Sequence, residues 1–342
     1  VNRFSNKYKV KILMNMNKNN NDHFDKIGNS IELHNINFDN SYNPLRFFIS
    51  IFKIVTLIVK YKPIIVYSFT IKPNIIAVLI SYFFVKISFV ITFTGLGNLY
   101  LRSKKLYILF FKILLFKNNK NNFFLFHNNY DLNIFKNLFK ISKYSVINGS
   151  GITLENNLKN IIKDNKLRVI SVCRPLKEKG FNDYLQLVSN LSHIKDVEFS
   201  LFTDIETNNQ NNYNANFLKE LVSNKYLKLL TSKDNLIQSL KSNDIFILLS
   251  KREGLSHAMI SSLNIGLPII CLKVPGNIDL ISNNHNGYLI KDDNNKLEEI
   301  NKILIDLLIN KHKLKLLSSN AKSTIDISFS HDYIFKIYER LL

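Results

Sequence analysis

From residue 168 onward the chain repeats one unit: a short apolar run rich in β-branched residues, a polar loop, then a stretch with helical periodicity. RVISVCR, FNDYLQLVSNL, VEFSLFTD, NFLKELVS, KLLT, NLIQSL, DIFILLS, HAMISSLN and PIICLK follow one another in that order. Strands this uniformly apolar are buried on both faces, and a helix between each pair carries the chain back to the same end of the sheet. The expected product is an α/β unit with a parallel sheet covered by helices on both sides. Before residue 150 a second alternation runs KVKILMN, LRFFISIFKIVTLIVK, IIVYSF, NIIAVLISYFF, SFVITF, LYILFFKILLF, FFLF and YSVIN, and it predicts the same architecture. Residues 75–93 are apolar over nearly the length of a membrane-spanning helix, about 20 residues. Lys86 interrupts them, and the halves read as a packed helix followed by a strand.

At 342 residues, with about 150 per domain, two domains are expected. The polar stretch 153–166 (TLENNLKNIIKDNK) is the linker candidate, which sets residues 1–152 apart as the first domain. KVKILMN follows NRFSNKY, which reads as the tail of a helix; that helix should itself follow a strand, so an opening strand and loop are expected ahead of it. The opening residues carry no signal-peptide pattern.

Charge narrows the partners without choosing among them. The 46 Lys and Arg against 26 Asp and Glu give +20, which favours nucleic acid, a lipid surface or phosphorylated ligands. A general bias toward Lys, Asn, Ile and Phe accounts for part of that excess. With no zinc-finger spacing and no RNP-like aromatic motif, nucleic acid is not an expected partner. Cys173 and Cys271 sit inside apolar runs without a Cys-x-x-Cys spacing, and the eight histidines form no His-x-x-x-His pair. The expectation is a reducing compartment and no metal or other cofactor.

Nine of the ten glycines mark strand or helix ends, among them Gly95, Gly97, Gly149, Gly151, Gly180, Gly254 and Gly276, where backbone N–H groups can approach a ligand or turns need positive φ. Arg174 and Lys179 lie in VCRPLKEKG, at the carboxyl end of a predicted strand, the edge where open α/β sheets bind ligands. A forked guanidinium and a mobile ammonium together suit a diphosphate. In SKREGLSHAMISSLNIGLPII the predicted strand DIFILLS ends and a helix begins near Ser256. Glu253 reads there either as a ligand for a polyol, with the amides of Gly254 to Ser256 beside it, or as a cap for that helix.

VCRPLKEKGF, followed some seventy residues later by LLSKREGLSHAMISSLNIGLPIICLKVPGNIDLISNNHNGYLI, resembles the donor half of retaining family 4 glycosyltransferases. KPIIVYSFTIKPNIIAVL, ITFTGLG, FHNNYDLNIF and VINGSGI resemble segments of the bacterial enzymes that extend polyprenyl-diphosphate-linked sugars for surface polysaccharides. The resemblance implies a GT-B fold, two Rossmann-like domains facing across a cleft. It implies a first domain at 1–152 lacking its opening strand and glycine-containing loop, a nucleotide-sugar domain at 153–330, and a terminal helix at 331–342 returning to the first domain. It further implies that Arg174 and Lys179 bind the donor diphosphate and stabilise its departure without a metal, and that Glu253 holds the donor sugar with the amides of Gly254 and Leu255. Lys72, Gly95, Gly97, Asn128 and Asp131 match acceptor-side positions, and Lys72 reads equally as a solvated loop residue.

Two positions depart from the family pattern. The second Glu of its motif, which grips the nucleotide ribose, is Ser261 here, and the acidic residue that often follows the Gly-Ser-Gly turn is Thr153. The function expected is transfer of a sugar from a nucleotide-diphosphate sugar to a lipid-linked saccharide by a cytoplasmic enzyme peripheral to the membrane. A nucleotide-sugar epimerase of the same fold and an inactive, anion-binding relative are the alternatives. The stretch 101–120, with Lys104, Lys105, Lys112 and Lys117 on an apolar helix, is expected to lie on anionic lipid, or else to be a core helix whose lysines reach water.

Overall fold

The computed structural model describes residues 2–15, 27–36, 44–96, 105, 108–109, 111–112, 115, 121–155, 164–204 and 214–342. Every strand pairing within them is parallel. In the first half, after the short helix α1 (Asn2–Ser5), β1 (Lys11–Met14) pairs with β2 (Glu32–Asn35). A four-stranded sheet then runs in the order β3 (Ile65–Phe69), β4 (Ser88–Phe93), β5 (Asn122–Phe126) and β6 (Tyr144–Val146). Helix α2 (Pro44–Tyr61) leads into β3, α3 (Ile71–Ser81) joins β3 to β4, and α4 (Asn129–Leu138) joins β5 to β6. One groove, lined by Leu13 of β1, Val66 to Phe69 of β3 and Ile54, Ile58 and Ile76 of the helices, separates the two-stranded pair from the four-stranded sheet.

The stretch 75–93 divides as its two halves predict. Asn74 to Val78, Ile80 and Ser81 of α3 are buried, and five of the six residues of β4 follow them into the core. Phenylalanine rings form much of its centre. Phe93 stacks on Phe126 with centroids 5.0 Å apart, and Phe135 of α4 meets both at 4.9 and 5.3 Å. In a chain without tryptophan, these rings supply the large apolar area and the tilted geometry that favour aromatic clusters.

The second half holds a six-stranded sheet in the order β12 (Gly287–Ile290), β11 (Ile269–Leu272), β10 (Ile245–Leu248), β7 (Leu167–Val172), β8 (Val197–Phe202), β9 (Leu227–Leu230). Helices α5 (Phe181–Leu191), α6 (Ala215–Ser223), α7 (Leu236–Lys241) and α8 (His257–Asn264) connect its strands, with α9 (Asn277–Leu280), α10 (Lys296–Ile309) and α11 (Lys311–Ser323) following. All four residues of β10 and of β11 are buried, which explains their unbroken apolar sequence. Cys173 and Cys271 are free and buried, and burial pushes the Cys173 thiol up to about 12, so both behave as small core residues.

Two strands, β2 and β12, fall outside the sequence-based alternation. Each has four residues; in β2 only the middle two of ELHN are even half-buried, so it carries no apolar run, whereas β12 (GYLI) is apolar and largely buried but short and at the sheet edge. Most of the predicted basic helix 101–120 and most of the linker candidate 153–166 lie outside the described residues. Chain passage between the halves is fixed by Ile152, which bridges in parallel to Ser330 and accepts a 3.0 Å hydrogen bond from the His331 amide. The last helix, α12 (His331–Glu339), packs Ile334 against Val90, Leu125 and Ile147 of the first half.

Candidate functional site

The loops after β4 and β5 in one half meet the loops after β10 and β11 in the other, as two facing walls. On the second wall the chain after β7 turns through a single 3₁₀ turn, Lys177–Lys179, closed by Gly180 at φ 69°. A Cβ on Gly180 would stand 2.2 Å from the Leu249 carbonyl oxygen, so only glycine lets this turn press on the end of β10. The Lys251 amide completes the contact by donating to the Glu178 carbonyl at 2.9 Å. This apposition carries Lys179 to Glu253 across 74 residues of sequence, Nζ to Oε1 2.8 Å, with side chains 23% and 13% exposed. Arg174, two residues past the end of β7, is exposed, and its guanidinium has no ion pair among the described residues.

Glu253 is not the helix cap. Ser256 caps α8 by accepting from the Met259 amide, leaving the Glu253 carboxylate to Lys179. Gly254 and Leu255 are half-buried between these two features. Ser261 is 1% exposed within α8, and its buried Oγ has no hydrogen-bond partner among the described residues.

The first wall touches the second through its strand-end loops. Asn128, 1% exposed and capping α4, donates from Nδ2 to the Gly254 carbonyl at 2.9 Å and to Asp131 Oδ2 at 2.9 Å, while its Oδ1 accepts from the Asp131 amide. Burial pushes the Asp131 carboxyl up, opposed by the Asn128 hydrogen bond and the nearby Arg252 guanidinium. Thus Asn128 and Asp131 are brought directly onto the loop that carries Glu253. Gly95, at φ 148°, faces the same loop, with Arg252 Nη2 3.9 Å from where its Cβ would lie. Lys72 is half-buried in the first turn of α3, and Thr70 just before it has φ 67° and ψ 164°, a conformation nearly confined to glycine. Gly97 lies outside the described residues.

Two features of this contact, Arg252 and Asp279, were not singled out by the sequence, and a third, Gly276, was singled out only as a glycine at an element end. Arg252 adjoins Glu253 in SKREG, and its charge faces Asp131 rather than solvent alone. Asp279 of α9 accepts from the Asn129 amide at 2.7 Å, capping the first-half helix α4 from the second half. Gly276, at φ 81°, stacks on Gly254, where a Cβ would fall 2.1 Å from the Gly254 carbonyl oxygen. A signal existed for the last: Pro275-Gly276 follows an apolar strand directly, a turn requiring positive φ. Among the described residues no group of three His, Cys, Asp or Glu could hold a metal ion.

Known proteins place this arrangement. Residues 154–324 match the family described as glycosyl transferases group 1, and residues 1–129 match the glycosyl transferase 4-like family. A 28% identical stretch of 139 residues, 40% of this chain and 34% of that protein, relates it to the Escherichia coli UDP-Gal:alpha-D-GlcNAc-diphosphoundecaprenol alpha-1,3-galactosyltransferase. The Campylobacter jejuni N,N'-diacetylbacillosaminyl-diphospho-undecaprenol alpha-1,3-N-acetylgalactosaminyltransferase is 25% identical over 238 residues, 64% of this chain and 60% of that protein. The chain thus spans between a third and three-fifths of the length of the curated relatives it matches. Among solved structures, Anabaena HepE in complex with UDP superposes with a TM-score of 0.74 at 17% identity, covering 98% of this chain and 99% of that one. That likeness establishes the GT-B fold, and the match over half the sequence establishes kinship: the chain belongs to the glycosyl transferases group 1 family.

Proposed function

We propose that the chain is a retaining glycosyltransferase that moves a sugar from a nucleotide-diphosphate sugar to a lipid-linked saccharide, working at the inner face of the cell membrane. The observation that carries this reading is the Lys179–Glu253 pair at the meeting of two strand-end loops. Without donor, each group neutralises the other. An arriving diphosphate competes for Lys179 with two negative phosphates, freeing the Glu253 carboxylate to accept hydrogen bonds from sugar hydroxyls. Arg174, exposed and at the same sheet edge, supplies a forked second cation. As the bond between the anomeric carbon and the diphosphate oxygen breaks, negative charge grows on that oxygen, where fixed cations contribute most. These two side chains take the role a metal ion would otherwise serve, so turnover is expected to persist in chelator. The names of the Escherichia coli and Campylobacter jejuni relatives, both acting on undecaprenol-diphosphate sugars, support the lipid-linked acceptor, and the first also supports a uridine donor.

The test separates binding from transfer. Arg174→Ala and Lys179→Ala are expected to weaken uridine diphosphate binding by about 1.5–3 kcal/mol, the scale of charge-assisted hydrogen bonds. Glu253→Gln should keep nucleotide affinity within a few fold and lose sugar transfer to an undecaprenyl-diphosphate-linked acceptor. Nucleotide binding unchanged in both cation variants would overturn the diphosphate assignment. Sugar conversion without acceptor would point to an epimerase, and binding without turnover to an inactive relative.

A further inference from the structure

Helix α2 has two apolar faces, and only one of them is in the core. Ile58 is buried and Ile51, Ile54 and Val55 pack against the Phe-rich cluster. On the outward side Ile49, Phe52 and Val59 are 48%, 74% and 58% exposed, and Phe48 is 66% exposed. At about 100° per residue, positions 48, 49, 52 and 59 share one stripe, and Lys53 and Lys60, seven apart, form a row along its edge. Both lysines are exposed. Past the end of α2, Ile64 and Phe83 stand 77% and 84% exposed at the amino end of the same sheet. An exposed apolar stripe of this kind marks a place of attachment.

Charge says what attaches. Between Asp39 and Asp131 the sequence contains no Asp or Glu, while it carries twelve Lys and Arg: 46, 53, 60, 62, 72, 86, 102, 104, 105, 112, 117 and 120. A second copy of the chain would bring an equally positive segment against this one. A nucleic acid would leave aliphatic Ile49 and Val59 with nothing to stack on. An anionic bilayer satisfies both features, taking the apolar stripe into the acyl boundary and the lysine row into the headgroups. No helix among the described residues is long and apolar enough to cross a membrane, so α2 is suited to lie on a bilayer.

We propose that the outward face of α2 is a docking surface for an anionic phospholipid bilayer, through insertion of Ile49, Phe52 and Val59 and pairing of Lys53 and Lys60 with lipid phosphates. The proposal extends the functional reading above but does not depend on catalysis. It is tested by co-sedimentation of the full chain with phosphatidylcholine vesicles containing one-third phosphatidylglycerol, and with phosphatidylcholine alone. The parent is expected to prefer the anionic vesicles and to lose that preference as salt rises. Ile49→Asn with Phe52→Asn should cut partitioning at least tenfold at unchanged melting temperature. Lys53→Glu with Lys60→Glu should abolish the preference for phosphatidylglycerol. Arg174→Ala should bind vesicles as the parent does, and the Ile49/Phe52 variant should bind uridine diphosphate as the parent does, so failure of either proposal is seen separately. Parent-like partitioning of both surface variants would overturn the assignment, as would a concentration-dependent dimer of the parent abolished by Phe52→Asn.

Discussion

A single imidazole next to the cleft sets a pH dependence that charge counting misses. His127 directly follows β5 and precedes Asn128, and burial alone pushes it down from 6.5 to about 4. The unfolded chain takes up a proton on this residue near 6.5, whereas the folded chain resists until about 4, so its contribution is complete above 6.5 and is lost as pH falls between those values. The expected loss is roughly 2–3 kcal/mol by pH 4, with His257 adding in the same direction because burial lowers it too. Urea unfolding at pH 7.5, 6 and 5 should show a steeper decline for the parent than for His127→Gln, and parallel declines would remove His127 as the cause. Residue by residue, legibility followed chemistry. Lys179 and Glu253 stood out as charges at strand ends, and geometry joined them. Ser261 was legible as a departure from pattern, but its burial is revealed only by the fold.

Elements were legible where their apolar run was long enough to declare a period. Helix α3 and strand β4 separate cleanly because helical spacing ends before SFVITF begins. What no period encodes is the approach of loops from opposite halves. Gly254 has the Thr94 carbonyl on one side, where a Cβ would fall at 1.8 Å, and Gly276 on the other. Glycine is therefore required at Gly254 by contact between halves, and at Gly180 by contact within one half. The two substitutions to alanine should differ accordingly. Gly180→Ala pushes β10 from its own turn and is expected to lower the melting temperature by several degrees, the scale of a 1–3 kcal/mol overpacking cost. Gly254→Ala is expected to spare each half, to enlarge the radius of gyration in solution scattering, and to reduce transfer by at least tenfold because Asn128 and Asp131 lose their place against the Glu253 loop. Equal losses of melting temperature in both variants would show that the Gly254 contact does not separate the halves.

At the scale of the whole molecule, two parallel sheets were legible from alternation alone, yet the bond between them is made by pieces distant in sequence. Helix α12 follows the second sheet but buries Ile334 against Val90, Leu125 and Ile147, and its Tyr338 carbonyl accepts from the Tyr67 hydroxyl at 2.8 Å. The opening residues join the same seam: Phe4 lies 4.7 Å from Phe335, Lys7 pairs with Glu339 at 2.6 Å, and Arg3 pairs with Asp332. The exposed ion pairs there contribute little, so most of the seam's energy is apolar burial. The first half is therefore completed by a helix from the far end of the chain, and its stability should depend on that helix more than the second half's does. Ile334→Ala removes a buried branched side chain and is expected to cost about 2–5 kcal/mol. In calorimetry this should move the transition of the first half downward by roughly 2–4 °C per kcal/mol. Uridine diphosphate, proposed to bind through Arg174 and Lys179 of the second half, is expected to identify the other transition by raising it. An Ile334→Ala chain in which only the nucleotide-sensitive transition moves would show that α12 serves the second half and that the seam is not what stabilises the first.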